Sequence, residues 1–172
     1  MKKGYIKTLC CILVLACTLP ILNGCNNEDD LAKILTGKTW KLSRLTVKGS
    51  SEQFYRGIWN NDKDYENSLK ALDAESNFTL VFTGVELNKE TLGSYFNSKG
   101  INSTMKGDWN GDGKSNRLTF SNIKVTGGES DPLAREFNNG LQKVEKYEGD
   151  SRNLTLYYKD GQVTRIMGFV AK

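Results

Sequence analysis

Apolar and polar residues alternate along most of this chain, which is the period of a half-buried strand. From Gly37 to Val47, Trp40 and Leu42 are in one phase and Leu45 and Val47 in the other, which predicts a strand with a bulge at Ser43-Arg44. A β run covers Asn77 to Thr83, and Gly84 ends it. Met105–Trp109 and Arg117–Val125 read as two strands about Asn110-Gly111-Asp112-Gly113, with a phase break near Asn122 that predicts a second bulge. Val144 and Tyr147 mark a charged strand. Leu154–Tyr158 and Val163–Val170 form a closing hairpin about Asp160-Gly161, a type I′ signal. The polar segment 86–103 gives only short strands at Gly93–Phe96 and Gly100-Ile101 around a loop.

Two stretches carry the helical period instead. Over Asn60 to Ala74, Asn61 or Asp62 can cap the start, and Tyr65, Leu69 and Leu72 share a stripe. Asp131 is a cap with Pro132 at the favoured first position, and Leu133, Phe137 and Leu141 form a stripe that Gly140 weakens near its end. Leu31 to Leu35 adds one helical turn. The expected fold is mainly β with two helices, an antiparallel curled sheet or partly open β-barrel. The strand–helix alternation of a parallel nucleotide-binding sheet is missing from the pattern.

The first 24 residues have a different character. Lys2, Lys3 and Lys7 precede an apolar run from Leu9 to Leu22, about 14 residues and too short to span a bilayer core, which takes ~20. This is the pattern of an export signal. Leu22-Asn23-Gly24-Cys25 resembles the lipobox of bacterial lipoproteins, with Asn23 in place of the commoner small residue. The resemblance implies cleavage before Cys25 and acylation of that residue, with more than one acyl chain for stable attachment. Asn26-Asn27-Glu28-Asp29-Asp30 resembles the acidic stretch of surface-exposed Bacteroidota lipoproteins, and reads equally as a polar tether. The expected organisation is a signal peptide at 1–24, a lipidated Cys25 and tether at 25–34, and one domain at 35–172. The expected location is the outer membrane, with surface display left open.

Charge and composition narrow the chemistry. The 172 residues suit one domain. Formal charge is +4, but removing the three leader lysines leaves 21 bases against 20 acids, with no basic footprint for nucleic acid. Histidine is absent, which excludes Ser-His-Asp and Cys-His catalysis and histidine metal ligands. Cys10, Cys11 and Cys17 belong to the leader, so the mature chain has no second cysteine with which Cys25 could form an internal disulfide.

The opening Leu35-Thr36-Gly37-Lys38-Thr39-Trp40-Lys41-Leu42 is similar to the first strand of META (HslJ-like) domains. The order that follows is similar too, from the Asn77–Phe82 strand to the helix with Glu136-Phe137 and the closing hairpin. The resemblance covers about residues 35–170 and rests on packing motifs. A Cys-Asn pair common in that family is absent, and the 61–74 helix looks like an insertion. Gly37 and Trp40 also resemble the Gly-x-Trp of lipocalins, with one extra residue between them. The resemblance implies a META/lipocalin-like fold and no reaction.

Asp108, Asn110, Asp112 and Asn116 fall at positions 1, 3, 5 and 9 of a pattern that resembles a calcium loop, with Gly113 at position 6. Thr119 stands where a bidentate acid is needed, and a strand follows rather than a helix. The alternative is a polar hairpin tip with Gly111 and Gly113 at positive φ. The acid pairs Glu145/Glu148 and Asp62/Asp64 alternate with lysines and read as solvated surface. Trp40 reads as core. Trp59 and Trp109 lie beside turns and are candidates for exposed ligand contact, and one of Tyr157 and Tyr158 must face outwards. The function expected is a non-catalytic, membrane-anchored binding or structural module without a cofactor, unless the loop takes Ca²⁺. Its partners would be the membrane and an envelope protein, a glycan or a small apolar ligand. Two alternatives stay open. A barrel-type carrier would have a cavity lined by Phe78, Leu80, Phe82 and Phe120, and a hydrolase would have converging carboxylates.

Overall fold

The computed structural model describes residues 27–84 and 93–172. The leader, Cys25 and the polar stretch 86–92 lie outside them. Eight strands form a closed antiparallel barrel in which each strand pairs with its sequence neighbours, and the first pairs with the last. They are β1 (Thr39–Val47), β2 (Thr79–Thr83), β3 (Gly93–Lys99), β4 (Ser103–Asp112), β5 (Arg117–Gly127), β6 (Val144–Gly149), β7 (Asn153–Asp160) and β8 (Val163–Ala171). The helices are α1 (Asn27–Leu35), α2 (Asp62–Leu72) and α3 (Pro132–Leu141), with a 3₁₀ turn at Arg56–Ile58.

Both expected bulges are present. The β1–β8 register shifts between Leu42 and Arg44. On β5, two residues oppose one between the Lys106–Lys124 and Asp108–Ser121 pairs, with Asn122 at φ 50°. Two turns differ from expectation. The β4–β5 strands run on through Asn110, Gly111 and Asp112, and the turn falls at residues 113–116, where Asn116 rather than a glycine has positive φ. The last hairpin turns on Gly161-Gln162, because Asp160 pairs with Val163. Only Gly161 has positive φ (60°), which fits type II′ and not type I′. Gly93–Phe96 belongs to one longer strand, β3, paired with β2 along Thr79–Thr83, whereas Gly100-Ile101 lies in the turn between β3 and β4 and is not a strand.

Side chains alternate in and out of the barrel wall, and those facing in are buried. Leu80 and Phe82 of β2, and Leu154, Leu156 and Tyr158 of β7, are buried at every second position, and Met105 and Trp109 of β4 face the same way. Eight strands enclose a space that side chains can fill or that can hold one small ligand. The helices attach at opposite ends. At the end where β1 starts, α1 packs Leu31 and Leu35, both fully buried, over β4 and under Trp40. The Trp40 indole donates to the Leu35 carbonyl at 2.9 Å. The packed body therefore starts at Leu31, ahead of residue 35.

α3 covers the other end. Asp131 caps it by accepting from the Ala134 amide, and Leu133, Ala134, Phe137 and Leu141 turn inward. A Cβ at Gly140 would lie 2.9 Å from the Tyr158 ring, so only glycine lets the helix come this near β7. Arg165 of β8 fastens the helix, pairing with Glu136 at 3.1 Å and with Asp160 at 2.8 Å. The Tyr158 hydroxyl donates to the same Glu136 oxygen. Burial and the adjacent Glu136 carboxylate push the Tyr158 phenol far above its ordinary value.

Lys41 is buried on the outer side of β1, where its ammonium caps the turn after α2 by donating to the carbonyls of Ala74 and Asn77. Burial, reinforced by Lys172, lowers its pKa to about 8. A lysine whose folded pKa lies below its unfolded value binds fewer protons when folded in that window. Stability therefore rises with pH between about 8 and 10. The raised phenols of Tyr157 and Tyr158 act in the opposite direction above about pH 10, their ordinary value. Urea titrations at pH 7, 8, 9 and 10 should show the rise in wild type and a flatter profile in Lys41→Met. A profile unchanged by the substitution would refute this assignment.

Candidate functional site

The residues singled out from the sequence are placed apart and are already occupied. Trp59 is 8 % exposed and Trp109 2 %, so neither offers the free ring face expected of a ligand contact. The Trp59 indole donates to Ser68 Oγ at 2.8 Å, and Trp109 donates to the Thr83 carbonyl at 3.1 Å.

The calcium reading fails on geometry. Asp108, Asn110 and Asp112 sit on one extended strand, so the first and last are separated by four residues or ~13 Å, whereas a Ca²⁺ ion needs its oxygens within ~2.6 Å. Asp108 accepts from Asn122 at 2.6 Å. Asp112 closes the turn by accepting from the amides of Lys114 and Ser115 and from the Ser115 hydroxyl, contacts that depress its pKa. Asn116 has positive φ at the end of that turn, and its carbonyl accepts from the Tyr147 amide. No group of three or more acidic or cysteine side chains suited to a metal occurs among the described residues.

The four residues offered as a ligand cavity are engaged with other side chains of the chain. Phe78 meets Phe137 edge-on at 5.8 Å, and Phe82 meets Trp109 at 5.6 Å. Phe120 stacks on Phe82 at 5.9 Å and lies 4.4 Å from Phe96. Leu80 is fully buried in the same cluster. The acid pairs serve local structure: Asp62 pairs with Arg56, Asp64 bonds to the capping Asn61, and Glu148 accepts from Tyr157.

Among the described residues, two clefts on the outside concern the predicted residues. The smaller, about 350 Å³, crosses β6 and β7 beside Tyr157, Lys146 and Glu148. Its polar groups answer one another. The Tyr157 hydroxyl donates to Glu148 at 2.7 Å, and the Lys48 ammonium lies 5.4 Å over the Tyr157 ring. Burial and the Glu148 hydrogen bond push the Tyr157 phenol up to about 12.

The larger cleft, about 610 Å³, lies between α2 and the segment that follows β1. That volume is in the range of small-molecule sites, ~300–1,000 Å³. The segment is held against β1 by two backbone hydrogen bonds of 2.9 Å, Leu45 amide to Gln53 carbonyl and Tyr55 amide to Leu45 carbonyl. This brings Phe54 to face α2. Asn61 caps α2 by accepting from the Asp64 amide. The helix buries only Ser68, whose hydroxyl receives from Trp59 and donates to the α3 cap Asp131 at 2.6 Å. The stripe read from the sequence, Tyr65, Leu69 and Leu72, is therefore only half-buried and lines the cleft. Arg56 lies flat on Tyr65, its guanidinium carbon 3.8 Å from the ring centre, and Tyr65 meets Trp59 edge-on at 4.9 Å. Sequence reasoning missed Phe54 and the charged rim of Glu52, Arg56, Lys70 and Asp73. The available signal was the modest width of the α2 stripe.

These features define a class: a small closed eight-stranded antiparallel barrel with helical end covers, consistent with a lipocalin-like architecture. Within it, residues 26–171 match the family described as a domain of unknown function (DUF4847), and the chain belongs to that family. It is similar to the crystal structure of a DUF4847 family protein from Bacteroides vulgatus ATCC 8482, with a TM-score of 0.58 and 22 % identity. The match covers 81 % of this chain and 96 % of that one. No protein of curated function matches the chain. The resemblance to META domains is thereby corrected. A strand opening on Trp40 and a closing hairpin are packing features that many antiparallel barrels share. The helix that looked like an insertion lies inside the family match, which runs from 26 to 171.

Proposed function

We propose that the chain is a lipid-anchored envelope protein that acts as a non-catalytic binding module, with the α2 cleft as its binding site and the outer membrane as its location. The observation that carries the binding reading is the half-covered α2 stripe facing Phe54 across a cleft, while the lumen aromatics pack on each other. Anchoring rests on Leu22-Asn23-Gly24-Cys25. No helix among the described residues is long and apolar enough to cross a membrane.

The two parts of the proposal fit together geometrically. Cys25 precedes the first residue of α1 by two positions, a reach of at most ~8 Å. α1 packs at the end of the barrel where β1 begins, and the cleft lies alongside β1, between the turn that Lys41 holds and the segment docked on Leu45. An anchored chain would hold the first end at the lipid surface and the cleft on the flank of the barrel.

Metabolic labelling with an alkyne fatty acid tests the anchor. Wild type should take up label and sediment with membranes, and Cys25→Ser should take up none. Label retained by Cys25→Ser would refute lipidation at that residue.

A further inference from the structure

One stretch of the barrel wall lacks a neighbouring strand. β5 is 11 residues long and pairs with β4 from end to end. On its other side it meets β6 only at the Arg117–Lys146 bridge. From Thr119 onward, no backbone hydrogen bond joins that side to another segment among the described residues. Alternate residues of such an edge aim their N–H and C=O groups away from the sheet, which makes it a template for one more strand. The bulge at Asn122 bends β5, so the straight part of the open edge is Ile123–Gly127.

The side chains there are uncovered in the same way. Val125 lies opposite the fully buried Met105, on the inner face of the sheet, and yet is 49 % exposed. Ile123, on that same face, is half-buried. On β3 and β4 the inner face is closed over Phe96, Ser98 and Met105. The outer face carries charge. Lys124 stands directly opposite Lys106, and both are exposed. Like charges facing each other across two strands are unfavourable. Neither lysine forms an ion pair with a side chain among the described residues. Asp108, on the outer face of β4, is engaged by Asn122 at 2.6 Å.

We infer that the Ile123–Gly127 edge takes up an extended segment of another protein as an added strand, one in which acidic residues alternate with apolar ones. Its backbone pairs with the open edge, as in other cases of strand addition. Its apolar side chains cover Ile123 and Val125, and its acids lie beside Lys124 and Lys106. Charge selects this partner. A second copy joined through the same edge would set two Lys106–Lys124 pairs on one wall, and a neutral strand would leave both lysines unanswered. The surface shares no residue with the α2 cleft.

The test titrates the full chain in detergent with the peptide acetyl-Thr-Val-Glu-Val-Glu-Val-Thr-amide, read by amide NMR and hydrogen exchange. The peptide should shift the Ile123–Gly127 amides saturably and slow exchange at least tenfold at those that point off the edge. The same peptide with lysine in place of glutamate, and a version N-methylated throughout, should each bind at least tenfold more weakly. Lys124→Glu should weaken the glutamate peptide at least tenfold and favour the lysine peptide. Its melting temperature should not fall, since Lys124 is exposed and has no ion-pair partner to lose. Equal binding of the lysine or N-methylated peptide, or unaltered binding by Lys124→Glu, overturns the inference. An edge already protected from exchange in a chain that runs as a dimer also overturns it and gives the edge to a second copy. Unmoved Ile123–Gly127 amides with every peptide overturn it too, and leave the α2 cleft and the anchor as they stand.

Discussion

Phe137→Ala should cost about 3–5 kcal/mol of stability, the range for removing a large aromatic from a packed core. Phe137 is fully buried on the inner face of α3 and touches rings from two strands' ends, Phe78 at 5.8 Å and Phe169 at 6.2 Å. Its loss leaves a void whose lining cannot close, because α3 is held at a fixed height by the Asp131 cap and the Glu136–Arg165 pair. For a chain of this size the melting temperature should fall by roughly 10 °C. Thermal unfolding followed by near-ultraviolet circular dichroism checks it. A change under 1 kcal/mol would mean that α3 does not close the barrel in the way described.

The second large effect is expected at Glu129. One of its carboxylate oxygens accepts four donors from the β3–β4 turn: the amides of Ile101 (2.8 Å), Asn102 (3.0 Å) and Ser103 (2.9 Å), and the Ser103 hydroxyl (2.7 Å). The turn amides point at one spot, which is the arrangement of an anion nest, and the linker to α3 supplies the anion. The hydroxyl of Ser103 in turn accepts from Asn138 of α3 at 2.8 Å, so the contact joins turn, linker and helix. Glu129→Ala leaves these donors to water and should cost about 2–3 kcal/mol. Glu129→Gln keeps an acceptor oxygen and loses the charge, so its cost should be about half. Urea unfolding of the two variants distinguishes them. Equal losses would show that the charge contributes nothing.

What could be read from the sequence follows the range of the interactions involved. The caps at Asn61 and Asp131, Pro132, and the bulges at Ser43 and Asn122 depend on neighbours a few residues away, and all were legible. The pairing of β1 with β8 joins Trp40 to Ala171 and has no local signature, so a partly open sheet was the natural reading. β3 was fragmentary because Gly93-Ser94-Tyr95-Phe96-Asn97-Ser98-Lys99 has little strand propensity of its own; its partners in β2 and β4 hold it extended. The Asn110-Gly111-Asp112-Gly113 stretch reads as a hairpin turn for the same reason: composition favours a turn, and the β4–β5 ladder keeps the chain straight as far as Asp112. Turn residues beside Trp59 and Trp109 in the sequence suggest exposure, although an indole can bury itself wherever a hydroxyl or carbonyl answers its N–H, as Ser68 and Thr83 do here. The candidate site was half legible. The Tyr65, Leu69 and Leu72 stripe could be seen, but its incomplete cover depends on where the Phe54 segment docks, a contact made along β1 and not along α2.

The central claim is that the barrel interior belongs to the chain's own side chains and that ligands meet the outside. Apart from Met1, the chain has two methionines, Met105 and Met167, and both are fully buried in the lumen. Methionine-methyl NMR during titration with dodecanoate therefore observes the interior directly. Both resonances should hold their positions up to millimolar ligand. A saturable shift of either would contradict the account and make the barrel a carrier.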